Sequence, residues 1–101
     1  MMVELSILPI GNQPHIGKYV AEAVKLVHES GVDYRLTPMG TLLVGEWEPV
    51  MEVVRKCHEA VRQHCDRVVT KIKIDDFRGQ ERTPEEKVAS VEKHLGFEVR
   101  K

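Results

Sequence analysis

Val3, Leu5 and Ile7 alternate with Glu4, Ser6 and Leu8 before Pro9 and Gly11 interrupt the pattern. A period of two predicts a first strand over 2–9. Over 14–30 the apolar positions become Ile16, Val20, Ala23, Val24 and Val27. Their spacing draws one stripe on a helix, with Pro14 suited to its first turn and Gly31 to its end. Two short apolar runs, 32–37 and 41–46, flank Pro38-Met39-Gly40 and predict a hairpin in which Gly40 supplies a positive φ. A second helix is expected over 49–64, burying Val50, Val53, Val54, Cys57 and Val61. A fourth strand over 67–75 sets Lys71, Lys73 and Asp75 on a single face. After a charged loop, Thr83-Pro84-Glu85-Glu86 forms a capping-box helix start, and Gly96 ends a helix of about 83–95 carrying Val88, Val91 and Leu95.

This order is strand, helix, strand, strand, helix, strand, then an additional C-terminal helix. It predicts a single α+β domain over 1–101, of the ferredoxin-like split βαβ (βαββαβ) type. The crossovers are expected to join parallel neighbours and to set both helices on one face of the sheet. The other face is partly apolar, through Leu8 and Val69, so a partner chain or the last helix is expected to cover it. Self-association through this sheet, as a dimer or tetramer, is the natural solution.

The bulk properties remove several function classes. Fifteen basic and 16 acidic side chains leave a net charge of −1, so no global field draws in nucleic acid or an anionic membrane. No apolar run has the length of a membrane helix, and Met1-Met2-Val3-Glu4 lacks a basic leader region. The chain reads as cytosolic. Cys57-His58 and His64-Cys65 resemble metal ligands until their seven-residue spacing is considered. Seven residues span about 10.5 Å of helix, too far for a shared ion, so no metal is expected. His15, His28 and His94 are isolated surface positions, and no serine or cysteine has the setting of an activated nucleophile.

The chemistry that remains is that of a binding surface. The first strand of a split βαβ sheet lies between the third and fourth, so Ser6 can neighbour Lys71 or Lys73. Ser6, Thr37, Thr41, Lys73 and Asp75 could then converge near one end of the sheet, with hydroxyls and a carboxylate for a heterocycle and a lysine for an anion. Cross-strand charge pairs on a solvated face would give the same pattern. Lys71, Lys73 and Arg78 could hold a phosphate, although Asp75 and Asp76 beside them suit simple ion pairs. The first strand and the 41–46 strand contain no aromatics, against an RNA-recognition module.

Glu4-x-Ser6 with Pro9 and Gly11, Tyr19-Val20, Met39-Gly40-Thr41 with Gly45-Glu46, and Asp66-Arg67-Val68 running into Lys73-Ile74-Asp75 together resemble the small YkoF-like thiamine-binding proteins. The resemblance covers residue 4 to about residue 95. It implies a ferredoxin-like fold, pairing of sheets into dimers or tetramers, no catalysis and no cofactor, with thiamine or its hydroxymethylpyrimidine half as ligand. The ligand-facing positions it implies are Ser6, Thr37, Met39, Gly40, Thr41, Lys73 and Asp75. A thiazolium cation would favour Glu46 or Asp75. The segment Asp75-Asp76-Phe77-Arg78 departs from the pattern through Phe77. The competing reading is a structural or regulatory module whose sheet serves assembly alone, and a third is an enzyme on a phosphorylated metabolite.

Overall fold

The computed structural model describes residues 1–11 and 16–101. Pro14 and His15, assigned above to a helix start and the surface, lie outside the described residues. Strand β1 (Met2–Ile10) leads to helix α1 (Ile16–Ser30), strands β2 (Asp33–Thr37) and β3 (Gly40–Val44), helix α2 (Trp47–Arg62), strand β4 (Arg67–Asp75) and helix α3 (Pro84–Leu95). The sheet order is β2-β3-β1-β4, which is the α+β split βαβ arrangement with an added C-terminal helix.

Every ladder is antiparallel. The expected parallel neighbours are corrected here: β1 and β2 run the same way but β3 lies between them, and β1 likewise separates β3 from β4. The element ends also shift. α2 begins at Trp47, two residues before Pro49, and β3 ends at Val44. Pro49 therefore occupies the first turn of α2, where a missing N–H costs nothing.

The core lies on one side of the sheet. Val3, Leu5 and Leu43 face Ala23 and Val27 of α1 and Val50, Val53, Val54, Cys57 and Val61 of α2. The stripe expected on α2 is buried throughout, whereas α1 buries only its second half. Ile16 and Val20 are exposed, because the sheet below them has narrowed.

Glu4, Ser6 and Leu8 alternate to the opposite face, beside Leu42, Val44 and Val69. α3 does not cover this face. It has no buried residue and meets the sheet's rim through two ion pairs, Arg35 Nε with Glu85 Oε1 at 2.8 Å and Lys87 with Asp75. Of the expected capping box the Thr83 half is formed, its hydroxyl accepting from the Glu86 N–H at 3.1 Å, and Gly96 ends the helix as expected with a left-handed φ of 83°.

Candidate functional site

β1 and β4 pair along nine residues, from Met2↔Asp75 to Ile10↔Arg67, but β1 and β3 pair only from Met2↔Val44 to Leu5↔Thr41. Beyond Leu5, the side of β1 toward β3 has no strand. A cavity of about 190 Å³ fills that gap. Its walls are the second half of β1, the β2–β3 turn, Tyr19, Val20 and Ala23 of α1, and Cys57 and Val61 of α2.

The turn itself is tightly determined. The Thr37 hydroxyl donates to the Gly40 carbonyl at 2.9 Å and accepts from the Met39 N–H at 3.2 Å. Pro38 fixes φ near −65° at the first central position. Gly40 does not have the positive φ expected from the sequence. Its glycine answers a different need, since a Cβ there would stand 2.8 Å from the Leu5 carbonyl oxygen. The turn lies directly against β1, and any side chain at Gly40 would push it away. Such a turn is not one of the primed types that keep hairpin strands closely twisted.

Five of the residues expected to face a ligand meet at this cavity: Ser6, Thr37, Met39, Gly40 and Thr41. They do so from different sides. Thr41 stands on the helix side of the sheet, 7% exposed, and its hydroxyl has no partner among the described residues without being sealed off from solvent. Ser6 alternates to the opposite face and reaches the cavity along the strand edge. Met39, 85% exposed, forms the outer lip.

Lys73 and Asp75 do not reach this cavity. They pair with Glu4 and Met2, which at about 3.3 Å per residue stand roughly 7 and 13 Å from Ser6 along β1. The expected convergence therefore divides between the two ends of the sheet. Asp75 lines a second, wider cavity of about 500 Å³ with Met2, Glu46, Phe77, Arg82 and Lys87. There the hydrogen bond from Lys87 holds the Asp75 carboxyl below its ordinary range. Lys71, opposite Ser6, and Arg78 line neither cavity.

None of the described residues lining the first cavity carries a formal charge. Its polar groups are the hydroxyls of Ser6, Tyr19, Thr37 and Thr41. Burial pushes the Cys57 thiol up to about 11, and its Sγ lies 3.4 Å from the Ala23 carbonyl oxygen, so it is a neutral thiol near pH 7. Tyr19 is a cavity residue that reasoning from the strands did not assign to the ligand. Its ring stacks on His64 at 4.8 Å and 27°, while His64 Nε2 lies 2.9 Å from Glu22 Oε2. The signal for it was the mismatch between a nine-residue first strand and a five-residue third, which leaves α1 facing empty space.

The His and Cys side chains of the 57–65 stretch turn to separate partners. His58 Nδ1 is 2.6 Å from Thr70 Oγ1, and Cys65 Sγ is 3.4 Å from the Val61 carbonyl.

Comparison with known proteins covers most of the chain. The family model described as "Thiamine-binding protein" matches residues 3–92. The UPF0045 protein YqgV of Bacillus subtilis is 40% identical over 100 residues, covering 93% of this chain and 96% of the relative. Among solved structures, a hypothetical protein of Methanocaldococcus jannaschii superposes with a TM-score of 0.82 at 30% identity, covering 89% of this chain and 93% of that one. A candidate thiamine biosynthesis/salvage protein of Thermotoga maritima gives a TM-score of 0.78 at 26% identity over 89% and 96%.

Proposed function

Because the chain belongs to the thiamine-binding protein family, we propose that it binds thiamine, or the hydroxymethylpyrimidine half of it, in the cavity behind the β2–β3 turn, without catalysis. The observation that carries this reading is the cavity's lining, in which, among the described residues, four hydroxyl side chains meet apolar walls and no charged group. An aminopyrimidine offers ring nitrogens as acceptors and an exocyclic amine as donor, and a hydroxyl can answer either. The Met39 thioether suits the face of an aromatic ring.

At about 190 Å³ the cavity is smaller than the roughly 300–1,000 Å³ of drug-sized sites. It suits one ring, with a thiazolium or a phosphate left at the mouth. Among the described lining residues the Cys57 thiol is neutral near pH 7 and no carboxylate or imidazole lines the cavity, in keeping with binding alone. The protein would act in the cytoplasm as a homo-oligomer, its apolar sheet face closed by another copy. That same face favours the second reading, a module that serves assembly alone.

Isothermal titration of the purified protein with thiamine, hydroxymethylpyrimidine and thiamine diphosphate tests the first reading, beside a Thr41→Val variant. Binding of the first two at micromolar strength, lost in a folded variant, supports it. Binding of the diphosphate should be no tighter, since none of the described residues lining the cavity is a cation. No heat from any of the three would leave the assembly reading.

A further inference from the structure

Tyr19 and Glu22 share one side of α1, because residues three apart on a helix are neighbours. A single imidazole meets both of them. The Tyr19 and His64 rings stack with centroids 4.8 Å apart, and His64 Nε2 lies 2.9 Å from Glu22 Oε2. The imidazole is itself well placed by its backbone. His64 belongs to the turn that stops α2, where its N–H donates to the Val61 carbonyl at 3.0 Å and the Gln63 N–H to the Glu59 carbonyl at 3.2 Å. Val61 is buried and lines the same cavity as Tyr19, so one short segment carries a fixed piece of the cavity wall and the ring against which Tyr19 stacks.

α1 needs such a hold where it passes the cavity. Its buried residues are Ala23 and Val27, whereas Ile16 and Val20 are exposed. Before Ala23 the helix lies over the gap that β3 leaves beyond Leu5, and side-chain contacts at the rim decide where Tyr19 stands. A histidine–carboxylate pair as exposed as this one, 38% at His64 and 45% at Glu22, adds little to folding. Placing Tyr19 gives the pair a use that folding does not require.

We infer that His64 is a positioning residue for the first cavity. It acts through Tyr19, whose ring it sets against the bound heterocycle, while Glu22 fixes the imidazole. His64 does not itself line the cavity. With one face taken by His64, the Tyr19 ring has its other face or its edge to offer a pyrimidine, and both are favourable aromatic arrangements. This rests on the pyrimidine-binding reading above and adds to it a residue that works without touching the ligand.

The test is a double-variant cycle read by isothermal titration with hydroxymethylpyrimidine, with circular dichroism and urea unfolding as controls for the fold. His64→Ala should weaken binding about tenfold, with the unfolding midpoint nearly unchanged. Tyr19→Ala should weaken it at least as much. The double variant should bind no more weakly than Tyr19→Ala alone, because His64 has no other route to the ligand. His64→Phe restores a flat ring for the stack and should return the affinity to within about threefold of wild type. If His64→Ala loses helicity, Glu22→Ala takes its place in the cycle and should weaken binding in the same direction. Wild-type affinity in the folded single variant, additive losses in the double variant, or no recovery in His64→Phe overturns the inference and leaves the cavity reading standing. A wild type that binds no hydroxymethylpyrimidine overturns the cavity reading and this inference with it.

Discussion

The two halves of β1 do different work with nearly the same residues. Met2 to Leu5 is paired on both sides, and Val3 and Leu5 are buried beneath α2 with Leu43. Ser6 to Ile10 keeps only β4 for a neighbour, and the space left by β3 becomes the cavity. Both halves alternate in the same way, so the difference comes from the neighbouring strand's length. A cavity can be made by ending a strand early.

The comparison is broken most severely from the closed half. Leu43→Ala empties a fully buried position and should cost about 2–5 kcal/mol in urea unfolding, with whatever ligand affinity survives unchanged in the folded fraction. Gly40→Val forces a side chain against the Leu5 carbonyl. It should cost roughly 1–3 kcal/mol and abolish calorimetric binding by displacing the turn. The two variants separate stability lost from the core and geometry lost at the site.

Cys57 sharpens the contrast through pH. Its folded pKa, about 11, stands above the ordinary 9.0, so the folded state holds the proton more tightly than the unfolded. Its stabilising contribution is fully present below pH 9 and fades as pH rises toward 11, by about 1.4 kcal/mol for each pH unit in that window. Unfolding curves at pH 8 and 10 should show this fall in wild type and not in Cys57→Ala. Thr41→Val keeps shape and removes a hydroxyl open to the cavity. About tenfold in Kd for hydroxymethylpyrimidine is expected, or about 1.4 kcal/mol, with little change in melting temperature. Lys73→Ala, on the other face, should shift Kd and stability by less than about 0.5 kcal/mol. A larger loss of binding would move the site to the open face.

Strand and helix order was legible because each apolar run kept one period, and a Gly or Pro stopped β1, α1, β2, β3 and α3. The α2 stripe and the Thr83 cap were fully readable, as both depend on residues within a few positions of one another. The cavity was partly legible. The Met39-Gly40-Thr41 turn marked its place, but period-two reasoning set Lys73 and Asp75 beside Ser6 as though one face were one site. Register decides that, and register is a long-range property. Gly40 shows the same limit: its sequence context suggests a φ, whereas its role is to let Leu5 approach. Tyr19 reaches the site only through the packing of α1, which no local pattern encodes.

The ladder from Met2↔Asp75 to Ile10↔Arg67 runs without interruption, and this constrains how the chain can change over generations. One inserted residue in β1 would turn the core side outward, move the cavity edge and invert the open face together. Homologues should therefore vary these surfaces by substitution at constant strand length. Gains and losses of residues should gather in the 76–83 connection and beyond Gly96, where an altered length leaves all three surfaces in place.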